Sequence, residues 1–230
     1  MWRLGNYLIK YKNMKVNILC VGNSLLHHPP CADVFWDGDW GMAASCREND
    51  YYHTLQRRLA GKYPNMEFSW HENGSAMFEQ SIKKDEDKDY TELFDKLFGR
   101  TLSEFTPDIV SLQLGDNCPH HETSDMAYAK AMIQAVNCFK KVNPDVVVIL
   151  CLTWYGELID SKHIGTLIAC RETEMPFVDL TKLFCPENQA LGLFKHNGVQ
   201  NHPGDRGMWL IAEEYTKAIS KIIDSKFLEK

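Results

Sequence analysis

The sequence lacks any apolar run approaching the roughly 20 residues that a membrane-spanning helix needs. It also lacks a long basic run, and its formal net charge of −6 argues against a large non-specific nucleic-acid footprint. We therefore expect neither a membrane nor a nucleic acid as a partner. Residues 1–13 are too polar and too broken for a signal peptide. A cytoplasmic protein is the default expectation, with residues 1–14 as a peripheral N-terminal extension.

Cysteine pairs and metal-ligand spacings are missing as well. None of the eight cysteines belongs to a C-x-x-C pair, and several stand inside apolar runs, so we expect reduced and mostly buried thiols. We expect Cys118 to be buried as a small apolar residue rather than to act as a nucleophile. In the pairs His27-His28 and His120-His121, neighbouring side chains diverge, and no H-x-x-x-H or Cys/His spacing is present. We therefore expect no metal site.

What the chain does contain is an alternation of strand and helix patterns. With 230 residues in the chain, 44% of them hydrophobic and 24% charged, residues 15–230 have room for a single α/β domain with a sizeable core. The strand patterns cover residues 15–21, 66–70, 108–114, 145–152 and 176–180. The fourth is apolar on both faces and rich in β-branched residues, as buried parallel strands are. The alternation predicts a doubly wound α/β/α sandwich.

Capping residues predict where several helices begin. Asn49 or Asp50 can cap one helix, and Ser124 can cap another. The apolar spacing of the last segment predicts a core-packing helix from residue 207 to about residue 223. We expect Asp205 to cap this helix rather than to orient a histidine.

Four short motifs stand at the ends of the alternating segments. Gly22-Asn23-Ser24-Leu25 follows the first strand, Asn73-Gly74-Ser75 the second and Leu114-Gly115-Asp116-Asn117 the third, and His202-Pro203 precedes the last helix. This order resembles the SGNH (GDSL-like) hydrolases, with asparagine in place of the usual aspartate in the first motif. The resemblance spans about residues 15–224. It implies a three-layer α/β/α sandwich with a five-stranded parallel, flavodoxin-like sheet.

Hydrolysis of an ester by a serine needs a nucleophile, a base and donors for the oxyanion. Ser24, expected at the start of a helix after the first strand, is the candidate nucleophile. His202 is the candidate base. By resemblance, the backbone N–H groups of Ser24 and Gly74 and the side-chain amide of Asn117 form the oxyanion hole. Each of these residues could instead serve only as a cap, a turn or a structural residue, but their joint order favours the catalytic interpretation.

The segment before His202 departs from the family pattern. Val199 stands three residues before the histidine, where the family usually has an aspartate. Three alternatives follow: a main-chain carbonyl near Val199 or Gln200 orients His202, an acid from another loop such as Glu157 does so, or the enzyme is impaired. Because a neutral acceptor can still fix the imidazole tautomer, we favour a Ser24–His202 dyad over an atypical triad.

A long aromatic and acidic segment follows the candidate nucleophile. Trp36 and Trp40, with Asp37 and Asp39 between them, could form a surface on which a sugar ring stacks while its hydroxyls bind the carboxylates. Alternatively, both tryptophans pack this loop onto the core.

The resemblance implies a serine esterase that needs no cofactor and acts on a small-molecule ester. We expect the substrate to be a small acyl ester, such as acetyl, on a carbohydrate, because deacetylation is widespread in the family. One alternative is a lysophospholipase or thioesterase with a broad apolar acyl pocket. Another, motivated by Val199, is a catalytically silent binding protein on the same scaffold.

Overall fold

A five-stranded parallel sheet forms the centre of the protein. The computed structural model describes residues 14–74, 76–119, 121–155 and 161–227. The strands are β1 (Lys15–Gly22), β2 (Glu67–Gly74), β3 (Ile109–Gln113), β4 (Val147–Leu152) and β5 (Phe177–Asp179). Their order in the sheet is β2-β1-β3-β4-β5, with every pairing parallel. This order has the form of a doubly wound, flavodoxin-like sheet, and the predicted fold class is confirmed.

Helices cover both faces of the sheet. They are α1 (Tyr51–Lys62), α2 (Ala76–Gln80), α3 (Thr91–Glu104), α4 (Asp125–Val142), α5 (Ser161–Thr173), α6 (Asn197–Gln200) and α7 (Asp205–Lys226). Short 3-10 turns lie at Ala32–Val34, Arg47–Asn49, Thr181–Leu183 and Pro186–Asn188. Because side chains alternate along a strand, Ile18 and Cys20 of β1 join a core with α1 and α7, whereas Leu19 and Val21 join a core with α3, α4 and α5.

Two of the predicted helix caps are present. Asp50 caps α1, where its side chain accepts a hydrogen bond from the backbone N–H of His53 at 2.8 Å. Ser124 caps α4 in the same way through the N–H of Ala127 at 3.1 Å. Each cap satisfies one of the backbone donors that the first turn of a helix leaves without a partner.

The predicted role of Asp205 is wrong. Helix α7 begins at Asp205 itself, its N-cap is Gly204, and no side chain caps it. The Asp205 carboxylate instead accepts hydrogen bonds from the backbone N–H and hydroxyl of Ser45, at 2.8 and 2.7 Å, and from the Asn49 amide at 2.9 Å. These hydrogen bonds therefore link the start of α7 to the segment that precedes α1.

Within the described ranges, no helix combines the length and the apolar character needed to cross a bilayer. Five of the eight cysteines are buried, and Cys118 is among them at 3% exposure, as predicted. The predicted N-terminal extension lies outside the described residues, apart from Met14.

Candidate active site

The candidate site lies at the carboxyl ends of β1, β2 and β3. Ligands of parallel α/β sheets commonly bind at this end of the strands. Gly22, the last residue of β1, pairs in register with Gly74 of β2 and Gln113 of β3. The loops that follow therefore converge. Ser24, Gly74, Asn117 and His202 all line one cavity of about 440 Å³.

Ser24 and His202 make the central contact of this cavity. Ser24 Oγ lies 2.7 Å from His202 Nε2, and His202 Nδ1 lies 2.7 Å from the carbonyl oxygen of Gly198. A carbonyl oxygen can only accept, so Nδ1 carries the hydrogen of the neutral imidazole. Nε2 is then the acceptor for the Ser24 hydroxyl, which is the arrangement that a general base requires.

The group that orients His202 is thus a main-chain carbonyl. It belongs to Gly198, one residue before the pair Val199 and Gln200 named from the sequence. The Val199 side chain is 1% exposed and packs with Trp36 and Met42 in an apolar cluster beside the cavity, which Val199 also lines. Glu157, the distant acid candidate, lies outside the described residues.

Burial controls the protonation of His202. Desolvation lowers its pKa from 6.5 to about 4; the hydrogen bond to Gly198 opposes this shift, and His28 adds to it. The imidazole is therefore neutral and able to accept a proton at neutral pH. In the described part of the chain no carboxylate bonds to His202, so an imidazolium formed there gains only the dipole of the Gly198 carbonyl.

The segment that carries Ser24 is a turn rather than the start of the predicted helix. The backbone N–H groups of Leu26 and His27 donate to the carbonyl oxygen of Asn23, at 3.0 and 3.1 Å. The N–H of Leu25 donates to Asn23 Oδ1 at 3.1 Å. A single residue, Asn23, thus accepts three backbone hydrogen bonds and closes the turn around the serine.

A buried glutamate lies beneath the candidate oxyanion hole. Glu79 of α2 is 0% exposed, and its Oε1 accepts a hydrogen bond from Asn117 Nδ2 at 2.7 Å. Its Oε2 accepts from the backbone N–H of Gly115 and from Asn23 Nδ2, the latter at 3.5 Å. Desolvation raises the pKa of Glu79 to about 7, and the nearby carboxylate of Asp116 adds to the shift.

Asp116 is the second carboxyl of this network. Its Oδ2 accepts from Gln113 Nε2 at 2.7 Å and from Asn23 Nδ2 at 3.2 Å, and its Oδ1 accepts from the N–H of Tyr155 at 3.2 Å. The Asn23 amide nitrogen therefore donates toward two carboxyl groups. An aspartate at this position would add a third carboxyl and no donor, so the network favours asparagine there.

Gly115 has a backbone that only glycine adopts readily. Its φ is +126°, and a Cβ there would lie 2.5 Å from Thr153 Cγ2 and 2.8 Å from Tyr128 Oη. The glycine thus allows the loop that presents Asn117 to pack against Thr153, just after β4, and against Tyr128 of α4. At Gly74, by contrast, a Cβ would meet no atom closer than 3.5 Å, so packing within the protein does not itself require glycine.

The structure places Trp36 and Trp40, the residues predicted as a sugar-stacking surface or as packing for their loop, outside the cavity lining, with Trp36 buried and Trp40 half-buried. Trp36 is 3% exposed, and its indole N–H donates to the carbonyl of His28 at 3.0 Å. The Trp40 N–H donates to the carbonyl of Ala44 at 2.9 Å, and the two rings meet edge-on at 5.7 Å. Neither ring lines the cavity.

The two acidic residues of this loop lie away from the cavity lining too. Asp39 Oδ1 lies 2.9 Å from His27 Nε2, so this carboxylate holds a histidine that lines the cavity. Asp37 is exposed to solvent.

Several side chains that line the cavity belong to none of the four sequence motifs. They include His27, His28, His196, Tyr155 and Gln80. His196 Nδ1 accepts the N–H of Gly198 at 3.1 Å, which leaves its other ring nitrogen as a donor. None of the described lining residues is Asp, Glu, Lys or Arg. The described residues also contain no group of three or more His, Cys, Asp or Glu side chains suited to a metal ion.

Solved structures show what this fold is similar to. A two-domain esterase active on acetylated mannans, crystallised with mannopentaose, matches 93% of this chain with a TM-score of 0.57 at 18% identity. A family two carbohydrate esterase from Clostridium thermocellum, in complex with cellohexaose, matches 92% with a TM-score of 0.57 at 14% identity. The psychrotrophic esterase EstA from Pseudoalteromonas sp. matches 91% with a TM-score of 0.57 at 14% identity.

The coverage differs between these neighbours. This chain spans 50% of the mannan esterase, 66% of the Clostridium enzyme and 99% of EstA. No family model and no curated protein matches the sequence. The structural likenesses show that the chain has the three-layer fold of these esterases, so the resemblance to SGNH hydrolases is confirmed in the fold that it implied.

Proposed function

We propose that the protein is a serine esterase that removes a small acyl group, acetyl in particular, from a carbohydrate ester. The observation that carries this proposal is the contact of Ser24 Oγ with His202 Nε2 at 2.7 Å, inside a cavity that Gly74 and Asn117 also line. A nucleophile, a base and candidate oxyanion donors thus share one space.

The reaction follows from the direction of the hydrogen bonds. Ser24 Oγ attacks the acyl carbon while its proton passes to His202 Nε2. The N–H groups of Ser24 and Gly74 and the amide of Asn117 stabilise the oxyanion. His202 then gives the proton to the leaving alcohol. Water next attacks the acyl-serine while His202 takes its proton, the bond from the acyl carbon to Ser24 Oγ breaks, and His202 returns the proton to Oγ as the carboxylic acid leaves. The proposed reaction needs no cofactor.

The lining of the cavity supports a neutral, polar substrate. Polar side chains, among them Gln80 and Asn117, line the cavity with the serine, and none of the described lining residues is Asp, Glu, Lys or Arg. Hydroxyl groups of a sugar suit such partners. Two of the neighbouring esterases were crystallised with oligosaccharides, which supports the same substrate class. The apolar lining of Pro29, Val34 and Met42 is a surface for a small acyl group.

One observation favours a second candidate, the catalytically silent binding protein. His202 pairs with a neutral carbonyl, and burial lowers its pKa to about 4, so the imidazolium is poorly stabilised. A protein with so weak a base could bind a carbohydrate in the cavity without turnover.

Hydrolysis across a series of esters distinguishes these functions. We would compare 4-nitrophenyl acetate, butyrate and octanoate, together with acetylated manno-oligosaccharides. Ser24→Ala is the test variant, and Ser103→Ala, at an exposed serine of α3 outside the cavity, is the matched control. We expect acetate to be the best of the three simple esters, with activity lost in Ser24→Ala and kept in Ser103→Ala. Activity that rises with acyl length would favour a lysophospholipase or thioesterase, and oligosaccharide binding without hydrolysis would favour the silent binding protein.

A further inference from the structure

We propose that Glu79 is a positioning residue of the oxyanion hole, whose carboxylate sets the direction of the Asn117 side-chain amide. This inference rests on the proposed esterase function. The residue does not line the cavity, and it would act only through the amide that it holds.

The hydrogen bond between the two residues determines how the amide is turned. Asn117 Nδ2 has two hydrogens, and one of them is donated to Glu79 Oε1 at 2.7 Å. An acceptor at this place selects the nitrogen of the amide over its oxygen. The second hydrogen remains available on a residue that lines the cavity, where the oxyanion would form.

The remaining partners of Glu79 make the carboxylate form specific. Its other oxygen accepts from the backbone N–H of Gly115 and from Asn23 Nδ2, so these partners are all donors, and a hydrogen bond from the Asn117 backbone also favours the charged carboxylate. A glutamine here has nearly the same shape but replaces one acceptor with an NH₂ group. Turned toward Asn117, that group would favour the reversed amide, because a donor cannot face Nδ2. Protonation of the Glu79 carboxyl likewise turns one of its two acceptor oxygens into a donor.

The surroundings of Glu79 place its titration near neutral pH. Burial raises its pKa to about 7, and Asp116, in the loop after β3, adds to this shift. Tyr128 of α4 and Cys151 of β4 also lie nearby, but burial raises their pKa values well above the ordinary ones, so both stay uncharged at neutral pH. Burial raises the pKa of Asp116 as well; hydrogen bonds from Asn23 and from the Tyr155 backbone, together with Lys162 of α5, oppose that shift.

The titration of Glu79 is therefore separated from that of His202. The acceptor form of Glu79 predominates above about pH 7 and is lost as the pH falls, because its pKa in the folded protein is raised. His202, with a pKa of about 4, stays neutral through that range. A loss of kcat near pH 7 that disappears in Glu79→Gln would thus report Glu79 rather than Asp116, and a loss near pH 4 would report the base.

A double-mutant cycle on the full chain tests whether Glu79 acts through Asn117. We expect Glu79→Gln to lower kcat about 10- to 100-fold with little change in KM, and Asn117→Ala to lower kcat about 10²- to 10³-fold. The double variant should match Asn117→Ala alone, since the amide that Glu79 directs is already gone. Glu72→Gln, at a half-buried glutamate of β2 that also has a raised pKa, is the control and should resemble the wild type.

Two pH measurements complete the test. The kcat of the wild type should rise through about pH 7, and Glu79→Gln should lack this rise. The side-chain amide resonances of Asn117 should titrate over the same range in the wild type and not in Glu79→Gln, whether or not an ester is present.

The outcomes separate this proposal from the function on which it rests. If the wild type hydrolyses esters and Glu79→Gln behaves like it, or if its loss of kcat persists undiminished in the Asn117→Ala background, the Glu79 proposal is overturned and the esterase stands. If the folded wild type neither hydrolyses esters nor is labelled at Ser24, the esterase proposal is overturned, and the catalytic role of Glu79 with it.

Discussion

Replacing Asn23 by aspartate tests the carboxyl network beneath the candidate site. The change preserves the size of the side chain and its acceptor for the Leu25 N–H, but it substitutes an oxygen for Nδ2. That oxygen would lie about 3.2 Å from Asp116 Oδ2 and about 3.5 Å from Glu79 Oε2. Two attractive contacts would thus become repulsive ones.

The size of the effect follows from these distances. Two unit charges 3.2 to 3.5 Å apart repel by about 5 kcal/mol at an effective dielectric constant of about 20. Glu79, with a pKa of about 7, can take up a proton at pH 7 at little cost, so the repulsion that remains is with Asp116, and the protein would relieve it by keeping the new carboxyl protonated. Holding a carboxyl of ordinary pKa about 4 protonated at pH 7 costs about 4 kcal/mol, at about 1.4 kcal/mol per pH unit. We therefore expect Asn23→Asp to lower the free energy of unfolding by about 3 to 5 kcal/mol at pH 7.

Urea unfolding at pH 7.5 and pH 5.0, followed by tryptophan fluorescence, measures this effect. The new carboxyl has a raised pKa in the folded state, so the difference from the wild type should be largest at pH 7.5 and shrink toward pH 5.0. Asn23→Ala removes the donor without adding a charge and should give a smaller loss that changes less with pH. An Asn23→Asp difference that is equal at both pH values would refute the described contacts of Asn23 with Asp116 and Glu79.

Three further predictions concern the base, the loop after β3 and the tryptophan loop. His202→Ala should lower the kcat for 4-nitrophenyl acetate about 10²- to 10⁴-fold, with the protein still folded by circular dichroism; unchanged turnover would exclude it as the base. Gly115→Ala should destabilise the protein by more than about 1 kcal/mol in urea unfolding, whereas Gly61→Ala, where a Cβ meets no atom within 4 Å, should stabilise it by about 0.5 to 1 kcal/mol. Trp36→Ala should lower the free energy of unfolding by about 3 to 5 kcal/mol, and Asp37→Ala by less than about 0.5 kcal/mol. An effect of Trp36→Ala as small as that of Asp37→Ala would contradict the buried position of Trp36.

The interior of the fold was predictable because buried strands need continuous apolar runs. The edge strand β2 was predicted too short, since it continues through His71, Glu72, Asn73 and Gly74. Its pairing with β1 extends to Gly74, but only one neighbour lies beside it, and its residues are exposed or half-buried. Polar side chains therefore interrupt the apolar pattern without ending the strand.

The candidate-site residues that belong to a sequence motif were predictable. Ser24, Gly74, Asn117 and His202 stand in the order that the resemblance requires, and the structure brings them to one cavity. The acceptor for His202 is the Gly198 carbonyl, a group that every residue has, so residue type could not identify it.

Two further features depend on contacts between distant segments. Glu79 contacts Asn23 and Asn117 because the folded chain brings these distant segments together, and the short helix that contains Glu79 has no sequence motif. Trp36 is buried because Phe194, far along the chain, packs against it at 5.8 Å, an outcome that local sequence did not distinguish from an exposed stacking surface.

The central claim is that His202 activates Ser24, and covalent labelling tests it most directly. The full chain is incubated with a fluorophosphonate probe, and its intact mass is measured for the wild type, Ser24→Ala and His202→Ala. We expect a single adduct on the wild type, no adduct on Ser24→Ala and slower labelling of His202→Ala. A folded wild type that gains no adduct, or an adduct that persists in Ser24→Ala, would contradict the proposed nucleophile.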